Sequence, residues 1–163
     1  MSNIKFFTLA VAVTSSILSG CAVSPPPKEK TSLEIQALQA KSFEADKKTA
    51  FNSVVSVLQD LGYIIVSASI ETGFITAESA VKNDTGILDA MVNVRRESRV
   101  AVTASVEEMK AKSTKVRLNF VSRQKRSAAY GQQANDDTPL MDTKIYENAF
   151  EKIGEAIFIR KGQ

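Results

Sequence analysis

Histidine is absent from the 163-residue sequence, and its absence removes several kinds of catalytic and metal site. Without imidazole there is no Ser-His or Cys-His nucleophile pair, no histidine general base and no histidine ligand for a metal ion. The few glycines form neither a Walker loop nor a G-x-G-x-x-G fingerprint, which excludes the common nucleotide-binding loops. We therefore expect no cofactor, and the sequence names neither a reaction nor a ligand.

Cysteine and net charge are also scarce. The only cysteine is Cys21, so no disulfide can form within the chain and the fold must be held by packing. Positive charge exceeds negative charge only slightly, with 21 Lys and Arg residues against 18 Asp and Glu residues. Because nucleic-acid-binding domains carry a strong basic patch, we expect no nucleic-acid partner.

The residues before the one cysteine have the pattern of a targeting segment. Lys5 gives a positive start, residues 6–13 form the apolar run FFTLAVAV, and the mainly small and polar stretch TSSILSG follows. The apolar run is too short to span a hydrocarbon core, which needs roughly 20 residues. Residues 1–20 are therefore predicted to be a signal peptide.

The end of this segment resembles a bacterial lipobox. Leucine lies three positions before the cysteine, and small residues lie between them, in the order Leu18, Ser19, Gly20, Cys21. The resemblance implies a diacylglyceryl group on the Cys21 sulfur, cleavage before Cys21, and acylation of the new amino terminus, for instance with palmitate. Several acyl chains make a stable anchor, whereas one chain binds only reversibly. The alternative is a free or buried cysteine that follows an ordinary signal peptide.

The residues after Cys21 indicate a destination and a spacer. In enterobacterial-type sorting an aspartate at the next position retains a lipoprotein in the inner membrane, so Ala22 implies export to the outer membrane, with the inner membrane as the alternative. Residues 21–34 contain three consecutive prolines and are predicted to form an extended linker. A proline motif read by a partner is the other interpretation of this stretch.

Residues 35–163 are predicted to form a single α+β domain with the element order β-α-β-β-β-β-α. Residues 35–45 indicate a first strand, with a helical start as the alternative. Asp46 can cap the helix that follows, and Gly62 can end it in a left-handed conformation. The apolar stripe of this helix has helical spacing and consists of Ala50, Phe51, Val54, Val55, Leu58 and Leu61.

The remaining segments predict an antiparallel sheet of about five strands with two helices on one face. Residues 63–69 and 73–79 indicate a hairpin. Two further strands, RVAVTASVEE and TKVRLNFVS, alternate apolar and polar residues across a loop EMKAKS, which is typical of a sheet covered on one side. A last helix follows Pro139, capped by Asp142 or Thr143. Its core stripe consists of Ile145, Tyr146, Ala149, Phe150, Ile153 and Ile157.

Three stretches of the chain resemble a family of small, mostly uncharacterised lipoproteins of Gram-negative bacteria. They are SVLQDLGYIIVSASIETGFITAES, KVRLNFVS and IYENAFEKIGEAIFI, and the likeness extends roughly from Leu38 to Arg160. The element order also resembles the helix-grip domains of the BamC lipoprotein of the β-barrel assembly machinery, a likeness of fold that transfers no function. Family members often carry a longer Gly- and Ala-rich insert where this chain has VKNDTGILDAMVNV. A function that the family houses in the longer insert is therefore not carried over to this chain.

Five arginines form a candidate binding face. Arg99 and Arg117 occupy the outward positions of the two alternating strands and are expected on the outer sheet face, and Arg95, Arg96 and Arg123 lie within a few residues of the same strands. Guanidinium groups match lipid A phosphates, a peptidoglycan carboxylate or an acidic protein surface. The alternative is an ordinary solvated face that charge keeps soluble.

The sequence contains two pairs of adjacent carboxylates that could in principle serve in catalysis. Neighbouring residues of a strand point to opposite faces, so Glu107 and Glu108 cannot share a proton or a substrate oxygen. Asp136 and Asp137 lie in the polar stretch YGQQANDDTPL, which is predicted to be a mobile loop. Solvated roles are expected for both pairs.

The segment GILDAMVNV places Ile87, Leu88 and Met91 at helical spacing outside the main core elements. It predicts either a short helix packed against the sheet or an exposed apolar patch for a partner. Packing is the expected outcome.

Together these features predict a lipid-anchored, periplasm-facing envelope protein that acts as a non-enzymatic binding or accessory module. Its partners would be the membrane, through the anchor, and an envelope protein or anionic envelope component. The alternatives are a peptidoglycan- or lipid-modifying enzyme, or a subunit of an envelope secretion, efflux or barrel-assembly complex.

Overall fold

In the part of the chain that the structure describes, seven antiparallel strands form one sheet, and two long helices pack on one of its faces. The computed structural model describes residues 30–128 and 131–162, without the side chain of Leu88. In chain order the elements are α1 (Ser32–Gln39), β1 (Ala40–Phe43), α2 (Lys47–Asp60), β2 (Tyr63–Ser69), β3 (Phe74–Ser79), β4 (Lys82–Asn83), α3 (Ile87–Met91), β5 (Arg95–Lys110), β6 (Ser113–Ser127), β7 (Gln133–Pro139) and α4 (Thr143–Lys161). The sheet order is β1-β6-β5-β3-β2, with β4 paired to β5 and β7 paired to β6.

The predicted α+β class with an antiparallel sheet is confirmed, but the number of strands is larger than about five. β7 forms within the stretch that was expected to be a mobile loop, so that expectation is wrong. Every residue of β7 is exposed, and a strand that buries neither face leaves no apolar alternation in the sequence. β7 is held instead by its main-chain pairing with β6.

The segment predicted as the first strand begins as a helix. Thr31 and Glu34 form a capping box, in which the Glu34 amide donates to the Thr31 hydroxyl and the Thr31 amide donates to the Glu34 carboxylate. Hydrogen bonds from the Thr31 amide and the Thr31 hydroxyl to the Glu34 carboxylate hold the pKa of Glu34 below its ordinary value. Only Ala40–Phe43 form a strand, and α1 begins inside the predicted linker. Because α1 buries no residue, its periodicity could not outweigh the strand interpretation.

The predicted first long helix, α2, is confirmed at both ends. The Thr49 amide donates to Asp46 Oδ1 at 2.8 Å, which lowers the pKa of Asp46, and Gly62 adopts a φ of 85° after the last turn. Because the pKa is lowered in the folded state, the stabilisation from this cap is present at neutral pH and is lost as the pH falls through that pKa. The buried stripe consists of Ala50, Phe51, Ser53, Val54, Val57 and Leu58, and Val55 and Leu61 pack at its margin.

The closing helix α4 is also confirmed, and Asp142 is its cap. The Lys144 amide donates to Asp142 Oδ1 at 2.9 Å. Tyr146 reaches the sheet, where its ring and the Phe120 ring form a T-shaped pair with a centroid distance of 5.1 Å. The buried residues of α4 are Tyr146, Ala149, Phe150, Ile153 and Ile157, as the stripe predicts, with Ile145 partly buried. Thus α2 and α4 form the predicted helical layer.

The long hairpin of β5 and β6 carries the centre of the core. Val102, Ala104 and Val106 are buried on the helical side, as the alternation predicts, and so are their partners on β6. The connection is shorter than the predicted loop EMKAKS, because the strands continue to a tight turn in which Lys112 has a φ of 60°. At the other end, residues 95–99 and 123–127 extend past the helical layer, so that the inward-directed Gln124 is exposed. We call this extension, with β4 and β7 beside it, the arm.

None of the helices in residues 30–128 and 131–162 has the length and apolar character needed to cross a membrane.

A glycine at the turn before β3 permits a close approach of two backbones. Gly73 has a φ of 77°, its carbonyl accepts from the Val106 amide at 2.9 Å, and a Cβ here would overlap the Val106 carbonyl oxygen. Gly62 has a similar φ but open space around the same position. A side chain at Gly62 would therefore be strained only by the left-handed backbone conformation, which lowers stability by about 1–2 kcal/mol. A side chain at Gly73 would have the same strain and would also have to displace the Val106 backbone.

We predict that Gly73→Ala lowers the free energy of unfolding by about 1–3 kcal/mol more than Gly62→Ala does. Chemical denaturation of both variants and the unmodified protein measures the difference. Equal losses for the two variants would show that β3 and β5 are not in tight contact at this turn.

Candidate functional site

One face of the sheet carries no helix within the described part of the chain. The helices α2 and α4 pack on the side of Val102 and Leu118, and the residues of opposite parity form what we call the outer face. The registers of β3, β5 and β6 align these residues in rows across the sheet. Successive rows are Phe74, Ser105 and Arg117; Thr76, Thr103 and Asn119; Glu78, Ala101 and Val121; and then Arg99 with Arg123.

Arg99 and Arg123 belong to a charged cluster with two carboxylates. Glu78 contacts Arg99 at 3.0 Å through one oxygen and Arg123 at 3.0 Å through the other. Arg123 also contacts Asp137 of β7 at 3.5 Å. The two positive and two negative charges balance, and ion pairs as exposed as these contribute only about 0–1 kcal/mol each.

Arg117 lies in a different environment on the same face. It makes no salt bridge among the described residues, unlike Arg99 and Arg123. It shares its row with Phe74, whose side chain is 59% exposed, and Ser105 lies between them. A shallow cleft of about 330 Å³ surrounds it, lined by Gln39, Phe74, Thr103, Ser105, Arg117 and Asn119. We call this the Arg117 cleft.

The end of α1 completes the cleft at the sheet edge. Gln39 Nε2 donates to Asn119 Oδ1 at 3.4 Å, which brings the last residue of α1 to the margin of the outer face, while the helix itself lies at the sheet edge. The cleft thus combines a guanidinium, an exposed aromatic ring, amides and hydroxyl groups. These groups can orient an anionic or polar ligand.

The five predicted arginines are not all brought together. Arg99 and Arg117 share the outer face as expected, but six residues along the strands separate their rows, or about 20 Å. Arg123 lies beside Arg99, and Arg95 lies on the same face at the far end of the arm. Arg96 has the opposite parity and lies on the other face of the sheet, so its predicted place in the binding face is wrong.

Arg96 is engaged with α3 rather than with the outer face. Its Nη2 donates to Asp89 Oδ1 at 2.9 Å, and its Nε lies 2.8 Å from Asp89 Oδ2 as an ion pair without hydrogen-bond geometry. This bidentate approach holds α3 against the start of β5.

The helix α3 contacts the start of β5, but the expected packing of its apolar side chains against the sheet is wrong. The segment does form a helix, but Ile87 is 84% exposed and Met91 is 77% exposed. The side chain of Leu88 is outside the described part. Helical spacing predicts that a helix forms. It does not predict which way the apolar side of that helix faces, because this depends on the contact between Asp89 and Arg96.

Titratable groups with perturbed protonation lie away from the outer face. Apart from the helix caps, burial raises the pKa of Tyr63, whose ring packs against Phe120 in the core. Among residues 30–128 and 131–162, no set of three acidic or cysteine side chains is arranged to hold a metal ion. Glu107 and Glu108 occupy consecutive strand positions, and so do Asp136 and Asp137, so each pair is divided between the two faces.

Several residues of the site were missed from the sequence, among them Glu78, Phe74 and Gln39. Glu78 and Phe74 belong to GFITAES, where alternation with the buried Ile75 and Ala77 places them on the outer face. That signal was present and could have been used. Gln39 had no comparable signal, because its position depends on where α1 ends.

The lipobox residues Leu18, Ser19, Gly20 and Cys21 and the start of the linker lie outside the described residues. The predicted anchor therefore stays a prediction.

No family model matches this sequence, and no curated protein matches it. Among solved structures, the chain is similar to a DUF4468 family protein from Bacteroides ovatus, with 10% sequence identity and a TM-score of 0.38. The match covers 79% of this chain and 96% of that chain. A likeness this distant carries no argument about function.

Proposed function

We propose that this protein is a lipid-anchored component of the cell envelope that acts as a non-enzymatic binding or accessory module. The observation that carries the proposal is the Arg117 cleft, where a guanidinium without a salt bridge among the described residues lies near an exposed ring on an uncovered sheet face. The lipobox pattern at residues 18–21 supports the anchor, and Ala22 supports a periplasm-facing position on the outer membrane.

The charges of the outer face indicate the class of ligand. Arg117 can give a carboxylate or phosphate two parallel hydrogen bonds, a geometry that lysine cannot supply. Phe74 adds an apolar surface in the same row, and the Ser105 hydroxyl lies between them. The ligand is therefore an anionic envelope component or an acidic protein surface.

The Arg117 cleft is a better centre for binding than the charged cluster. Arg99 and Arg123 already contact Glu78, so an incoming anion would have to compete with a carboxylate in place. Reversing the charge of Arg99 would also put two acidic residues in contact and disturb the face itself. Arg117→Glu changes a charge that forms no such pair with any residue that the structure describes.

We expect Arg117→Glu to weaken capture of the partner from detergent-solubilised envelopes several-fold at low salt. The loss should shrink as salt is added, because screening weakens the interaction between exposed charges. Affinity capture with the acylated protein, followed by identification of what is retained, measures this.

Arg126→Glu is the matched control for the capture experiment. Arg126 is also an exposed arginine of β6, but it has the opposite parity and lies on the arm. It should retain the same partners as the unmodified protein. Equal capture by Arg117→Glu, Arg126→Glu and the unmodified protein at low salt would contradict binding at the cleft, and the basic face would then be a solubility feature.

A further inference from the structure

An apolar tip lies at the end of the arm. It consists of Ile87 and Met91 of α3 and the following Val92, which are 84%, 77% and 64% exposed. Large apolar side chains grouped at one exposed site commonly mark a contact with a protein or a membrane. The tip is not explained by the Arg117 cleft, which lies at the other end of the outer face.

The backbone behind the tip is well held although the side chains are exposed. The Val94 amide donates to the Asp89 carbonyl at 2.8 Å, and the Arg96 amide donates to the Thr85 hydroxyl at 3.0 Å. The Asp89 carboxylate is paired with the Arg96 guanidinium. α3 therefore presents its apolar side chains from a fixed position and has its one acidic side chain neutralised.

Lys30, the first residue that the structure describes, lies partway along the sheet and at some distance from the tip. Lys30 Nζ donates to the Met141 carbonyl at 2.6 Å, and the neighbouring Leu140 amide donates to the Phe120 carbonyl at 2.9 Å. β6 runs from Phe120 to Ser127, which pairs with Arg95 beside the tip. These seven residues span about 24 Å.

The linker is long enough to cover that distance. Nine residue steps join Cys21 to Lys30, and an extended chain that includes three prolines reaches about 28–30 Å. A lipid group on Cys21 and the apolar tip can therefore contact the same membrane surface at once. The anchor would hold the tip at a high local concentration near the bilayer. A weak contact between the tip and the bilayer is therefore enough to keep the tip bound.

We propose that the tip inserts into the interfacial layer of the bilayer that holds Cys21. This proposal rests on the lipid anchor of the proposed function. Apart from the Arg96–Asp89 pair, the charges beside the tip are Lys82, Arg95, Lys125 and Arg126 against Asp84, Glu97 and Asp136, and they nearly cancel. Apolar contact therefore drives the insertion, and the contact is insensitive to salt, in contrast to binding at Arg117.

The test uses the acylated protein in vesicles of phosphatidylethanolamine and phosphatidylglycerol, with Met91→Cys carrying an environment-sensitive fluorophore. Because acylation occupies the sulfur of the chain's one natural cysteine, the new thiol is the only one labelled. With nitroxide lipids that place the quencher near the headgroups, the label should lose more than about half of its emission, since interfacial side chains lie within that layer. The loss should be the same at low and high salt.

Met109→Cys is the matched control. Met109 is also an exposed methionine, at 59%, but it lies near the turn at the opposite end of the β5–β6 hairpin. Its label should keep its emission. In the Met91→Cys background, Ile87→Asp should restore most of the emission, because a charge added to the tip opposes insertion.

Flotation and intact mass are measured on the same samples. An acylated, vesicle-bound protein whose Met91 and Met109 labels are equally quenched, or both unquenched, overturns the tip proposal alone. A Met91 label that is shielded from water without quenching by lipid overturns it too, and indicates a protein partner or a second copy on the tip. A protein that is not acylated overturns the anchor and the tip proposal together.

Discussion

Replacing Phe150 by alanine should lower the free energy of unfolding by about 3–5 kcal/mol, the usual loss for removing a buried phenylalanine ring. Phe150 is buried on the sheet side of α4, and its ring lies 6.3 Å from that of Phe43 on β1. The truncation would leave a cavity between the helical layer and the edge of the sheet. A domain of this size has about 5–15 kcal/mol of total stability, so the variant should be severely destabilised.

Phe158→Ala is a matched control on the same helix. Phe158 is 80% exposed, and surface substitutions of this kind usually change stability by less than about 0.5 kcal/mol. Phe51→Ala on α2 should behave like Phe150→Ala, because Phe51 is equally buried. Chemical denaturation gives all three midpoints. If Phe150→Ala unfolds at the unmodified midpoint, the helix has been assigned the wrong buried side.

The elements of the fold that could be predicted are those in which the apolar residues of the sequence recur at the same spacing as the residues buried in the structure. α2 and α4 each bury one stripe, and β5 and β6 bury alternate residues, so helical and strand spacing identified them directly. Their ends were marked by local chemistry, namely the Asp46 and Asp142 caps and the left-handed Gly62.

The elements that were missed or misjudged bury little or nothing. α1 and β7 have no buried residue, so neither produces the apolar periodicity from which an element is identified. α1 was still marked by the Thr31 and Glu34 capping box. β7 has no local marker and exists because β6 extends past the helical layer and offers a free edge to it.

The candidate site divides in the same way. Strand parity placed Arg99 and Arg117 on one face, but parity does not give the distance between them or their partners. The partner of Arg99 is Glu78, and that contact depends on the register of β3 against β5, which follows the backbone approach at Gly73. Because of this register, the predicted basic face consists of two separate parts. One is a cluster in which positive and negative charges balance, and the other is the Arg117 cleft.

The second large effect is expected at the predicted anchor. Cys21→Ser should abolish acylation completely, because a serine hydroxyl cannot replace the thiol in forming the thioether. Without that modification the signal peptide stays uncleaved or the protein is mislocalised. Because the sequence has no other cysteine, no second thiol can take up the acyl group.

Intact-mass analysis of the protein extracted from membranes decides whether the anchor exists. The unmodified protein should have the mass of residues 21–163 plus the acyl groups, and Cys21→Ser should have the mass of the precursor without them. Ser19→Ala is the matched control, because it keeps a small residue in the lipobox and should be processed normally. Membrane association by itself is not decisive, because an uncleaved signal peptide also associates with the bilayer. A mature unmodified protein without acyl groups would contradict the anchor, and the tip at Ile87 and Met91 would then have no tether to bring it to a membrane.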